Sequence, residues 1–325
     1  MRHLLGRLVQ TVATLWVVAT VLFLMFRLLP GDPTLNYIDT GFTEDQRQAL
    51  LRQFGLDQPL VVQYGLYLRA LLSGELGTSF VTRTPVVEVI LDVLPNTLAL
   101  TLGALILSYA IGVLAGVWLA WRRGTATEAW GIPLALTLRA APEFWVGMIL
   151  LAIFAFSLGW FPSGGANRAG AIYASQFDRM LSVDFLRHLV LPLVTLTLYL
   201  QGLPLLLMRA STLEVLSEEF VTMARLKGLS TWAVLFRHAA RNALLPVVTA
   251  FALGFGASLG GNVVLETVFS WPGLGRVLVN AVAANDYPLA QGAFLMIASV
   301  LVLLNLLADL AYHALDPRVR DGGPR

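Results

Sequence analysis

Six long apolar runs, at residues 8–26, 97–121, 132–160, 189–208, 243–264 and 289–311, constrain this chain more than anything else in it. An α-helix needs roughly 20 apolar residues to cross the hydrocarbon core of a bilayer. No water is present there to satisfy backbone N–H and C=O groups, so such runs become helices that satisfy their own. Composition agrees: 57% of the 325 residues are hydrophobic and 13% are charged, whereas a soluble domain carries about 25% charged residues. The chain is expected to be all-α and polytopic, with six transmembrane helices.

Arg2, His3 and Arg7 precede the first run, as in a secretory signal. That run exceeds the roughly 7–15-residue apolar core of a signal peptide. It ends in RLLPGDP without a small-residue cleavage site, so it reads as an uncleaved anchor. With the N-terminus inside, the short inside loops hold Arg122, Arg123, Arg209, Arg225, Lys227, Arg237 and Arg241. The outside loop 270–288 holds only Arg276, and 161–188 holds Arg168, Arg179 and Arg187. Positive residues favour the cytoplasmic side, and long loops are left out of that count. Both termini are therefore expected in the cytoplasm. The chain divides into a first helix at 1–30, an extracytoplasmic helical loop at 31–96, and a five-helix core at 97–325.

Within the long loop, Thr43 to Gly55 reads as a capped helix, with Glu44 and Asp45 at its positive end. Gln63 to Gly74 reads as a second helix, and a third short one is expected before Pro95. Gly112 and Gly116, and likewise Gly256 and Gly260, stand four apart, a spacing that lets helices approach closely in lipid. Pro133, Pro142, Pro192 and Pro204 are expected to kink their helices. Cysteine is absent, which excludes disulfides and thiolate metal sites. The four histidines lack ligand spacing, and no metal site is expected.

Charge inside the apolar runs is sparse. Arg139 and Glu143 lie four apart, on one face of a continuous helix, and could form an intramembrane pair. The alternative is that the overlong third run begins in the interface, where an arginine snorkels cheaply. Asn305 and Asp309 in the last run face the same choice.

The segment between the fourth and fifth runs is different. Residues 210–242 carry Glu218, Glu219, Arg225, Arg237, Arg241 and Lys227, the only lysine of the chain. Ser217 is a plausible cap, and the glutamates and basic residues suit opposite ends of a helix dipole. Gly228 is placed to stop the helix in a left-handed turn. Leu213, Leu216, Phe220, Met223 and Lys227 recur at helical spacing. Ser230 caps a second helix that runs into the fifth span. A helix, a glycine turn and a helix could lie apolar side down on the membrane, or seat in a groove of another protein.

FVTMARLKGLSTWAVLFRHAARNALLP resembles the cytoplasmic coupling loop of permeases of the dipeptide/oligopeptide/nickel ABC importer family. RLLPGDP, QFGLDQPLVVQYGLYL, GELGTSF, LPNTLALTL, APEFWVG, LGWFPSGG, ETVFSWPGLGRVLVNAVAANDYPLAQG and DLAYHALDPRVR resemble the same family, in its order. The broader signature opens Glu-Ala-Ala, where this chain has Thr222, Met223 and Ala224.

The resemblance implies the ABC importer permease fold in the cytoplasmic membrane of a bacterium or archaeon. It implies a second homologous permease, two cytoplasmic ATPases and an extracytoplasmic binding protein, and no nucleic acid. Leu216, Glu219, Phe220, Met223, Ala224, Arg225, Lys227 and Gly228 would contact the ATPase. Trp271, Pro272, Gly273 and Gly275, in SWPGLGR, would gate the outer mouth or meet the binding protein, with Trp271 anchored at the interface. Cargo would be peptides or related solutes, nickel chelates included.

A phosphate-binding loop needs Gly-Lys-Ser/Thr after a glycine-rich turn, and the sole lysine lies in LKGLS. ATP and Mg are therefore expected on partner subunits, and no catalytic residue is expected here. The rival reading is an ion-coupled secondary transporter with Arg139, Glu143 and Asp309 as a relay, although no inverted repeat is evident. A membrane hydrolase is disfavoured by the absence of His-Glu-x-x-His and of paired intramembrane aspartates.

Overall fold

The computed structural model describes residues 2–28, 58–257 and 262–315. The expected helix from Thr43 to Gly55, RLLPGDP beyond Leu28, Gly260 and the tail from 316 lie outside the described residues. So do the side chains beyond 307, Asp309 among them. Every regular element among the described residues is helical, apart from an isolated bridge between Thr78 and Pro85.

In chain order these are α1 (Arg2–Leu28), α2 (Leu60–Leu72), α3 (Val86–Trp121), α4 (Ala126–Ala140) and α5 (Glu143–Leu150), which continues as a π-helix over Leu151–Ser157. Then come α6 (Gln176–Leu181), α7 (Val183–Leu200), α8 (Gly202–Leu216), α9 (Glu219–Leu226), a π-helix over Ala233–Ala240, α10 (Arg241–Ala243) and α11 (Leu245–Ala257). The last are α12 (Val263–Val268), α13 (Leu274–Ala283) and α14 (Tyr287–Leu315). Among the described residues four helices are long and apolar enough to cross a membrane, and the bent pair α4–α5 makes up to five.

Two expectations change here. The third apolar run is not one helix: Ala126–Ala140 and Glu143–Ser157 meet at 102°. The residue before a proline is driven out of the α region, and Ala141, before Pro142, is extended at φ −66°, ψ 139°. Conversely, the short helix expected before Pro95 is the beginning of α3, a 36-residue helix that runs through that proline. A proline removes one helical hydrogen bond and crowds the preceding turn. Here the turns on both sides are buried, with Val86, Ile90 and Val93 before Pro95 and Leu100 and Ala104 after it.

The chain forms two compact units, residues 1–97 with 272–303 and residues 98–271 with 304–325. In the first, Val86, Ile90 and Val93 pack with Leu274, Leu278, Leu289, Ala290 and Ala293. A Cβ on Gly292 would lie 2.5 Å from Val86 Cγ1, so α14 meets α3 at glycine. Two polar joints pin loops to this packing. Asp286, 1% exposed, accepts from Ser79 Oγ, from Phe80 N–H at 3.0 Å and from Val81 N–H at 3.2 Å. Asn96 Nδ2 donates to the Pro272 carbonyl at 2.8 Å, and Thr97 Oγ1 accepts from Leu274 N–H at 2.7 Å.

In the second unit, Leu100, Ala104, Phe185, Leu196, Leu265, Phe269 and Trp271 form one cluster. Leu105, Tyr109, Val117, Met208, Leu235 and Val247 form another. Gly112 and Gly116 lie against α8: a Cβ on Gly116 would stand 2.6 Å from the Leu205 carbonyl oxygen. Hydroxyls within the helices bond back to their own turns, Thr195 to the Leu191 carbonyl and Ser108 to that of Leu105, both at 2.8 Å. This satisfies polar groups without water.

Gly116→Val meets backbone that cannot yield, so its folded, monodisperse fraction on gel filtration should collapse. Asp286→Ala strands the three donors of residues 79–81 and Leu289 N–H, which bonds the same carboxylate at 3.3 Å, and should lower stability by about 2–3 kcal/mol, read as an earlier thermal transition in detergent.

Candidate functional site

The segment 216–228 takes its shape from a succession of caps. Ser217 ends α8 instead of opening α9: its backbone is helical at φ −86°, ψ −8°, and its hydroxyl bonds the Glu214 carbonyl at 2.6 Å. The extended residue is Glu218, at φ −73°, ψ 148°, and α9 starts from it. At the other end, Gly228 N–H reaches the Arg225 carbonyl at 2.9 Å and Leu229 N–H that of Ala224 at 3.4 Å. This is a Schellman closure, with Gly228 at φ +74°. A Cβ there would meet no atom within 4 Å, so the backbone conformation alone calls for glycine. Ser230 opens the next helix through its carbonyl and, loosely, its hydroxyl.

The two sides of α9 do different work. Val221 and Ala224 are buried against Val234, with Val215 and Leu216 packed beside them. Phe220, Met223 and Leu226 stand 43%, 56% and 78% exposed, and Glu219, Arg225, Lys227 and Gly228 are exposed with them. The expected stripe is thus divided: Leu216 packs inward while Phe220, Met223 and Lys227 face outward. Val221 was not legible as the inward residue. The usable signal was its i, i+3 spacing to Ala224, two small side chains suited to a close helix contact.

The surroundings brace this segment. Arg209, in α8, donates Nε–H to Glu128 Oε1 at 2.9 Å and a second bond through Nη2. Gly124 N–H occupies the other oxygen of Glu128 at 2.7 Å. Trp232 stacks on Phe236 at 5.1 Å between ring centroids and on Trp118 at 6.3 Å. The Arg122 guanidinium lies 5.0 Å over Trp118. Among these residues, Glu128, Arg209 and the aromatic ladder had no motif to betray them.

The other expected site residues are distributed differently. Trp271 is not an interfacial anchor: it is fully buried, 5.5 Å from Phe185 between centroids, because the cluster of Phe185, Phe269 and Leu265 encloses the indole. Pro272 supplies a carbonyl to Asn96, Gly273 is the extended residue that opens α13, and Gly275 is buried in it.

Arg139 and Glu143 are not a helical pair, since the bend at Pro142 destroys the i, i+4 relation. Among the described residues no ion pair joins them. Arg139 instead lies beside Gly202, where a Cβ would stand 3.1 Å from its Cδ. A Gly-x-Ser-x-Gly string also occurs at 256–260. Its first two residues, Gly256 and Ala257, are the end of α11, not of the strand that a nucleophile elbow requires, and Ser258 lies outside the described residues.

Residues 112–321 match the family described as binding-protein-dependent transport system inner membrane component, and residues 1–101 match its N-terminal counterpart. A glutathione transport system permease protein of Salmonella typhimurium is 40% identical over 326 residues, 98% of this chain and 99% of that one. A di/tripeptide transport system permease protein of Pseudomonas aeruginosa is 38% identical over 328 residues, 97% of each. A putative peptide transport system permease protein of Brucella abortus is 37% identical over 317 residues, 98% of each. Matched across both halves and over nearly its whole length, the chain belongs to the family of binding-protein-dependent transport system inner membrane components, as a multi-pass permease subunit of the inner membrane.

Proposed function

We propose that this chain is one of two permease subunits of an ABC importer that moves short peptides or related solutes into the cell. Two cytoplasmic ATPases hold ATP and Mg, and an extracytoplasmic binding protein delivers the cargo. Peptide cargo is supported by the printed names of the relatives, whereas nickel chelates rest on the resemblance alone. Six crossings with both termini inside belong to the same reading. The bent pair α4–α5 is taken as one crossing and α11, with 13 described residues, as another. The arginines at 122, 123, 209, 225, 237 and 241 favour this orientation.

The observation that carries the reading is α9, a short helix that leaves Phe220, Met223 and Leu226 exposed while Val221 and Ala224 hold it from behind. Exposed apolar residues ringed by charges are what a partner groove recognises. Closure of the ATPase pair would push on that face. The Schellman turn keeps the helix from unwinding under the push, and the Val221–Val234 contact passes it to the following helix. The Arg209–Glu128 pair and the Gly112/Gly116 contact pass it through α8 to α4 and α3. The spans then rock between inward- and outward-open states, and SWPGLGR moves with them as the outer gate through its backbone joints.

Tagging the chain in its native host and identifying what co-purifies tests the whole assembly. A second permease and P-loop ATPases are expected. Recovery of the chain alone, with ATP-independent uptake in liposomes, would sink the proposal. Phe220→Asp should weaken ATPase attachment as loss of an interface anchor of about 2 kcal/mol or more does, and Val221→Asp should instead fail to fold. Gly228→Val strains the αL turn by roughly 1–2 kcal/mol. It should assemble normally yet lose about tenfold in ATP-driven uptake, the equivalent of ~1.4 kcal/mol. Normal transport by the assembled variant would show that this turn has no part in coupling.

A further inference from the structure

The first compact unit encloses a cavity of about 260 Å³. Phe26 and Arg27 line it from the last turn of α1, Tyr67 from α2, Glu75 from the turn after α2, and Tyr287 and Gln291 from the start of α14. That is more room than a single water needs, and close to the lower end of ligand pockets, about 300–1,000 Å³.

The depth of the cavity in a bilayer follows from its walls. The apolar spans run from Gly6 to Leu28 and from Tyr287 to Leu307, so residues 26–27 and 287–291 are span ends. They are level with each other, since Phe26 and Tyr287 meet at 5.9 Å between centroids. Span ends lie where acyl chains give way to headgroups. The third wall, α2, turns Val61, Leu66 and Leu72 outward, at 82%, 51% and 91% exposure. An apolar helix exposed in this way at a span end belongs against lipid.

The chemistry of the lining is specific. Arg27 is half-buried, its guanidinium 5.6 Å over the Phe23 ring. Among the described residues no carboxylate lies within ion-pair distance of it. Tyr67 Oη and Gln291 Nε2 are buried and, apart from a poorly aligned contact of the Gln291 amide with the Tyr67 oxygen, have no hydrogen-bond partner among the described residues, so the Tyr67 hydroxyl proton is left without an acceptor. Glu75 stands exposed at the edge, its backbone held by Glu75 N–H to the Ala70 carbonyl at 2.8 Å after Gly74 at φ +77°. A phosphate answers the cation and both donors. A primary ammonium a few bonds away answers Glu75, which neither an anionic headgroup nor a quaternary ammonium without N–H groups does.

We propose that this cavity is a structural site for an ethanolamine phospholipid. Its phosphate sits at Arg27, Tyr67 and Gln291, its ammonium at Glu75, and its acyl chains along the exposed apolar faces of α1 and α2. The lipid fills the gap between the first helix and the packing of α3, α13 and α14.

The full chain, with the subunits that co-purify, is exchanged into detergent, and its retained lipid is extracted and quantified by mass spectrometry. Phosphatidylethanolamine should exceed phosphatidylglycerol and phosphatidylcholine relative to the host membrane. It should fall at least about fivefold, the equivalent of ~1 kcal/mol, in Arg27→Gln and in Ala70→Leu, which fills the cavity without touching its charges. Glu75→Gln, at an exposed position, should retain phosphatidylglycerol as readily as phosphatidylethanolamine, and it decides the matter should the buried variants fail to fold. Equal lipid content in the wild type and the folded variants would overturn the proposal. So would displacement of the lipid by a dipeptide, which would make the cavity a cargo subsite.

Discussion

Helices already in hydrocarbon gain nothing from leaving water, so their association rests on close packing and on satisfied polar groups. The contact of Gly112 and Gly116 with α8 is the interaction on which much of this molecule depends. With no side chains between them, α3 comes within reach of the Leu205 backbone, and the Leu105, Val117 and Met208 cluster closes around the contact. Because α8 leads through Ser217 directly into α9, the same packing sets where the charged segment begins.

That segment resolves a conflict between two demands on one short helix. In the proposed role it presents apolar side chains to a partner without collapsing onto its own chain. Small inward residues, Val221 and Ala224, let α9 lie close to Val234, and the larger Phe220, Met223 and Leu226 are left outside. The glycine turn then reverses the chain within a few residues. The Trp118, Trp232 and Phe236 ladder and the Arg209–Glu128 pair hold both flanks.

The motifs of the family resemblance turn out to be joints as much as sites. GELGTSF and NDYP are fastened by Ser79 and Asp286, and LPNT and WPGLG by Asn96 and Thr97 with the backbone of Pro272 and Leu274. A single-sequence reading identifies such strings but not their pairing, because the partners lie 176 to 207 residues apart. Trp271 illustrates the same limit. Tryptophan near a span end favours the interface as a rule, yet here the Phe185 and Phe269 cluster closes over it.

What the sequence determined by itself was local or statistical. Apolar length called for membrane helices, arginine placement favoured an orientation, a lone lysine excluded a phosphate loop, and Gly228 announced a left-handed turn that is present at φ +74°. Each of these follows from the chemistry of a few neighbouring residues. Only the tertiary structure decided that α3 persists through Pro95 while the third run breaks at Pro142. The same residue type does both, and the packing on either side selects between them. Only it decided that Arg139 and Glu143 part company, that Val221 faces in and Phe220 out, and that a largely apolar cavity with a few polar groups opens where α1, α2 and α14 meet. These depend on which distant surfaces come together, and that information is spread over the whole chain.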